Sequence, residues 1–167
     1  MTEVYTLVSE SGDEYKLQFT TERSGIIADE ILDRINGDGI DVAEVGLGRV
    51  SGGNVTSTKM LSQIEECIAD FMQRHENVVL SFFCDFINFL PATRKNIPVQ
   101  EYRSRLFSLM FDRYVSQHNL TVYSNKVVEI EGVAEHFYFH VISRKEHLMY
   151  AEMIAEGYKK DFGKPVE

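Results

Sequence analysis

Two groups of residues have types and spacings that could do chemistry. The first is Cys84-Asp85, followed by Arg94, Lys95, Arg103 and Arg105. Between residues 94 and 105 the only acid is Glu101, so this segment is positive in a chain of formal charge −9. A guanidinium matches the geometry of a carboxylate or phosphate, so the group is a candidate anion site. Arg103 and Arg105 are two apart; on a helix about 200° separates them, and only one can face a small ligand. The alternative is that Asp85 and Arg103 form a structural ion pair and the loop cations are solvated. A sharper possibility makes Cys84 a nucleophile. That needs a base within hydrogen-bond reach and a cation to favour the thiolate. Histidines stand at 75, 118, 136, 140 and 147, but no spacing sets one beside Cys84. A cysteine in an apolar strand is ordinarily a core residue, so no catalytic residue is expected.

The second group is His136-Phe-Tyr-Phe-His140. On a strand, residues four apart share a face but lie roughly 13 Å from each other. Metal–nitrogen bonds are about 2 Å, so the pair cannot close on one ion. With Tyr138 between them, these histidines are expected to line a polar face or a partner surface. No metal or cofactor is implied. Gly46-Leu-Gly48-Arg-Val-Ser-Gly52-Gly53 outlines a phosphate cradle, but its spacing fits neither the dinucleotide fingerprint nor a P-loop. It reads as turn chemistry.

The stretch that must position the first group is Val78–Phe86, the most apolar run in the chain. It is short, rich in aromatic and β-branched residues and without alternation, which predicts a central strand buried on both faces. Cys84 and Asp85 then lie at its carboxyl end, where open sheets with helical crossovers collect ligands. Helical periods flank it. Over 57–75, Met60, Leu61, Ile64, Cys67, Ile68, Phe71 and Met72 form an apolar stripe, with Gln63, Glu65, Glu66, Asp70, Gln73 and Arg74 facing out. Over 99–117, Tyr102, Leu106, Leu109, Met110, Arg113 and Tyr114 trace one side and Phe107, Phe111 and Val115 widen it, which predicts burial on two sides.

The remaining elements follow in chain order. Val4–Val8 and Glu14–Phe19 form a hairpin with one wet face. Residues 24–39 carry a short amphipathic helix, with Ser24 as N-cap and Gly37 as left-handed C-terminal cap. Residues 41–50 form a third strand, in which Gly46 and Gly48 mark a bulge or a close approach. Residues 87–98 make a loop of about a dozen residues, long for a compact domain. A second hairpin spans 120–130 and 134–143, and a C-terminal helix carries Leu148, Ala151, Ile154, Ala155, Tyr158 and Phe162. The expected class is α+β: one layer of mixed sheet with helices packed on it, in the order β-β-α-β-α-β-α-β-β-α. One domain covers residues 1–167, with a disordered tail from about residue 163.

Hydrophobic residues are 44% and charged residues 26% of the chain, as in an ordinary soluble domain. No apolar run reaches the ~18 residues of a membrane span, and no signal-peptide core opens the chain. A cytoplasmic location is expected, with Cys67 and Cys84 as free thiols. Residues 1–45 hold eleven acids and three bases. That balance excludes general nucleic-acid affinity, which needs clustered cations. It is read as a solvated acidic surface rather than a phosphate mimic.

Ile68-Ala-Asp-Phe71, then Asn77, then Cys84-Asp85, then Arg103-Ser-Arg105-Leu-Phe107 with Met110-Phe111 resembles a family of short, uncharacterised bacterial proteins of unknown function. The resemblance covers about residues 60–145. It departs where the family has Asp-Gly after Cys-Asp, here Phe86-Ile-Asn-Phe-Leu-Pro91, and where Met110 replaces an expected Trp. The family lends no activity. It implies only that Cys84, Asp85, Arg103 and Arg105 belong together. The leading expectation is a binding or accessory module that acts through contacts with another protein. The alternative is a small enzyme or sensor for a phosphate or carboxylate ligand at the end of the central strand.

Overall fold

The computed structural model describes residues 1–53, 57–83, 99–131 and 136–163. Its strands are β1 (Thr2–Val8), β2 (Glu14–Thr20), β3 (Asp41–Ser51), β4 (Val78–Phe83), β5 (Tyr123–Glu131) and β6 (His136–Arg144). Its helices are α1 (Asp29–Gly37), α2 (Thr58–Arg74), α3 (Val99–Gln117) and α4 (Leu148–Phe162), the last entered through a single 3-10 turn. The class and the element order are those the sequence predicts. The six strands form one open mixed sheet in the order β1-β2-β3-β4-β6-β5.

β4 is internal, parallel to β3 and antiparallel to β6. Five of its six residues are buried. Val78, Leu80 and Phe82 join one core with Ile64, Ile68 and Phe71 of α2 and Phe107 of α3. Val79 joins a second core with Leu32 and Ile35 of α1 and Ile154 and Tyr158 of α4. The strand is therefore dry on both sides, as its unbroken hydrophobicity requires. A buried side chain of this size contributes about 1.5–3 kcal/mol.

Polar contacts key helices to strands. Ser81 points from β4 to the α4 side and hydrogen-bonds the hydroxyl of Tyr158, whose ring stacks on Phe139 at 4.0 Å. The Arg74 guanidinium donates to Glu3 at 2.7 Å and also to the Tyr5 hydroxyl, tying the end of α2 to β1.

Several local details differ from expectation. α1 begins at Asp29 with no side-chain cap. Ser24 donates instead to Glu44 at 2.7 Å, which fastens the preceding loop to β3. The left-handed residue after α1 is Gly39, not Gly37, because the helix runs one residue further. Gly46 and Gly48 lie in register opposite Gln18 and Lys16, and the irregularity falls nearer Val50, where Tyr15 pairs with Arg49 and Glu14 with Ser51. Among the described side chains of α3 only Ser104 and Phe107 are buried, and Leu109 is 55% exposed. That helix rests one face on the sheet and α2 and leaves the other bare, so its stripe is not buried on two sides. The expected strand end at 84–86, the loop 87–98 and the tail beyond 163 lie outside the described residues.

Gly52 meets two requirements at once. Its φ is +95° and a Cβ there would fall 1.8 Å from Asp13 Oδ1, an atom of a side chain that is itself buried. Gly52→Ala is expected to cost about 2–3 kcal/mol of unfolding free energy. Gly46→Ala, whose Cβ would meet nothing within 4 Å, should gain about 0.5 kcal/mol. Urea denaturation of both variants checks the contrast.

Candidate functional site

Arg103, Ser104 and Arg105 open α3, and the structure separates them by role. Arg105 is exposed and donates to Glu101 one turn back at 2.7 Å, a surface pair of the kind that contributes a few tenths of a kcal/mol. Arg103 is half-buried. Cys84, Asp85, Arg94 and Lys95 lie outside the described residues. The residue that this turn sends into the sheet is Ser104, 3% exposed.

Ser104 Oγ lies 2.9 Å from His140 Nε2, and His140 Nδ1 lies 3.0 Å from Asn125 Oδ1. Asn125 Nδ2 donates to Ser108 Oγ at 3.2 Å. The chain is consistent with one tautomer only. Nδ1–H donates to the Asn125 carbonyl, so Nε2 accepts the Ser104 proton. Serines one helical turn apart thus clamp the β5–β6 hairpin. The imidazole is stacked on Phe82 at 5.1 Å and met edge-on by Phe107 at 5.0 Å. Burial holds His140 down at about 4.

The bonding order is that of a nucleophile–base–orienter relay, but His140 is 0% exposed and the relay is sealed from solvent. It works as a clasp. His140 does not line a surface, because α3 covers that face of β6. His136 remains exposed and contacts Glu129 at 2.7 Å. No group of three metal-ligating side chains occurs among the described residues.

A second locus centres on a residue of α2 that the sequence reading places in solvent. Glu65, expected to face water, is 7% exposed. Along α2 it continues the row Leu61, Ile68, Met72, which faces α3 as well as the sheet. Its Oε1 is buried without a hydrogen-bond partner. Burial pushes the carboxyl up to about 8, against a smaller opposing pull from Arg113. At neutral pH Glu65 is therefore mostly the uncharged acid.

Glu65 lies between two spaces. Behind it is a small apolar cavity of about 20 Å³ walled by Ile68, Phe107, Phe111 and Ile142, room for about one water-sized group. In front is an open cleft of about 350 Å³ between α2 and α3, walled by Leu106, Leu109 and Met110 and rimmed by Lys59 and Arg113. Lys59 is paired with Glu10. Tyr114 borders both spaces. The sequence did carry a signal for this site. Glu65 stands at helical spacing from three apolar residues, where a charge should not sit.

No family model matches the sequence, and a search of curated proteins finds no match. No helix among the described residues is long and apolar enough to cross a membrane.

His140 and Glu65 act on stability in opposite directions. His140 is neutral in the native chain while the unfolded chain takes up a proton near 6.5, so the stability it contributes is lost as pH falls from 6.5 through 4. Glu65 keeps a proton that the unfolded chain releases near 4.5, so stability is lost as pH rises from 4.5 through 8. Glu65→Gln should leave stability unchanged near pH 4 and raise it by about 3 kcal/mol near pH 8. His140→Ala should cost about 3–4 kcal/mol at neutral pH, from lost packing and two orphaned partners. Chemical denaturation across pH measures both.

Proposed function

We propose that the protein works by contact, as a cytoplasmic binding module that accepts an extended segment of another protein along β1. The observation that carries this reading is the state of that edge. Among the described residues β1 pairs only with β2, and Val4 and Val8 are 51% and 58% exposed. A strand with one unpaired side offers a row of backbone donors and acceptors to an incoming strand.

The face behind it favours the same partner. Tyr15, Leu17 and Phe19 turn to α2, so Lys16 and Gln18 face the other way, beside Gly46 and Gly48 in register. All four are exposed, and the two glycines leave a shallow trough. Apolar side chains of an added strand would rest on Val4 and Val8, with Lys16 beside them for an acidic residue of the partner.

The opposite margin, β5, is defended. It carries Lys126, Glu129 and Glu131, the charges with which natural sheets blunt an edge. β1 carries only Glu3, and Arg74 and His75 hold that carboxylate on the α2 side.

A photo-crosslinking residue placed at Val4 or Val8, in the protein expressed in its native host, is expected to yield one discrete heterologous adduct. The same residue at Val127 on β5 should yield none. Val4→Lys should abolish the Val8 adduct without lowering the melting temperature. Adducts of equal strength from both edges, or none from β1, would count against the reading.

A further inference from the structure

We propose that the α2–α3 cleft is a binding site for a small amphipathic monocarboxylate, whose carboxylate is held between Glu65 and Arg113 and whose apolar body lies against Leu106, Leu109 and Met110. This site is separate from the β1 edge and does not depend on it.

Three observations converge. The first is space: the cleft holds about 350 Å³, within the range of small-ligand pockets. The second is an unmet bond. Glu65 is more than nine-tenths buried, and its Oε1 has no partner. An orphaned buried polar atom costs about 1–3 kcal/mol in a folded chain, and a ligand that bonds it recovers that cost. The third is charge. Arg113 is exposed on the rim and forms no ion pair with any described residue. In a chain of formal charge −9, a rim cation with no ion-pair partner among the described residues is available to a ligand anion.

The chemistry of the ligand follows from these groups. An uncharged carboxyl offers one donor and one acceptor. A ligand carboxylate accepts the Glu65 proton in a short charge-assisted bond and takes the Arg113 fork with its other oxygen. A ligand ammonium would instead require Glu65 to ionise and would face Arg113 and Lys59, two like charges. Leu106, Leu109 and Met110 give the α3 side of the cleft an aliphatic strip, with Ser62 and Gln117 elsewhere in its lining, so the body of the ligand that rests on that strip is aliphatic or aromatic. The room for a one-carbon group behind Glu65 and Tyr114 favours a slender chain.

The test uses 4-phenylbutyrate and 4-phenylbutylamine, which share a body and differ in the sign of the head. At mildly acidic pH, phenylbutyrate is expected to raise the melting temperature in a saturable manner and to bind by calorimetry, and the amine to do neither. Arg113→Met, a change at an exposed position, should fold normally and weaken phenylbutyrate binding by about ten- to a hundredfold. Glu65→Leu should abolish binding while raising the melting temperature of the free protein. The proposal is overturned by stabilisation with the amine instead, which would mark a cation site, by no binding of phenylbutyrate at millimolar concentration, or by binding that survives Arg113→Met unchanged.

Discussion

The structure depends on a strand that can be wetted on neither face. Val78, Leu80 and Phe82 turn one way and Val79 the other, and all four are buried. A strand of this kind needs a helix layer on each side and a bonded neighbour at each edge. β3 and β6 supply the edges, α2 and α3 one layer, α1 and α4 the other. Once β4 is enclosed, the positions of the other elements are largely dictated. α2 must be the crossover that makes β3 and β4 parallel. The β5–β6 hairpin must dock its second strand inward, which leaves β5 outermost.

Enclosure also sets the terms for polar groups. Ser81, Ser104 and His140 are all buried and all bonded. The Ser81–Tyr158 and Ser104–His140 bonds each join a helix to a strand, and His140–Asn125 joins β6 to β5, so each fixes a registration that apolar packing alone would leave loose. Glu65, 7% exposed, has an oxygen unbonded, as does Ser143 of β6, whose buried Oγ also lacks a partner. A paired group is spent on the fold, whereas an unpaired group at the back of an open cleft has bonding capacity that only something outside the chain can use. The cost of keeping Glu65 protonated is a stability that declines toward alkaline pH, in opposition to the acid sensitivity of His140.

How much of this could be read from the sequence follows from what periodicity records. A period reports the face an element gives to its nearest layer, so β4, the hairpins and the stripes of α2 and α4 were legible. It does not report a second neighbour. Glu65 reads as solvated because the α2 stripe points to the sheet, although Leu61, Glu65, Ile68 and Met72 form a row toward α3. His140 reads as a surface residue because alternation along β6 implies one wet face, although α3 covers it. Leu109 looked buried because the apolar residues of α3 outnumber those its packing uses. The opening turn of α3 was identified as chemically interesting from its arginines. Its buried member is the serine between them, a residue with no strong pattern of its own. Cys84, Asp85, Arg94 and Lys95 fall outside the described residues, so the anion-binding corner remains an expectation from sequence, and the reading of the protein rests on the β1 edge and the cleft.

Those two features lie on opposite sides of one helix. α2 holds β1 through Arg74 and through Asp70, which accepts from Tyr5 at 2.8 Å. The same helix bounds the cleft with Glu65, about two turns earlier. Tyr114 of α3 reaches across and borders the space between α2 and β1 as well as the cleft. The angle at which α2 lies on the sheet therefore sets both the support beneath β1 and the width of the cleft. Phe71 fixes that angle from below: its ring stacks on Phe19 of β2 at 4.2 Å and nearly parallel. An aromatic stack in the first core thus carries the alignment on which both exposed features depend. It lies between β2, beside the open edge, and the helix that walls the cleft.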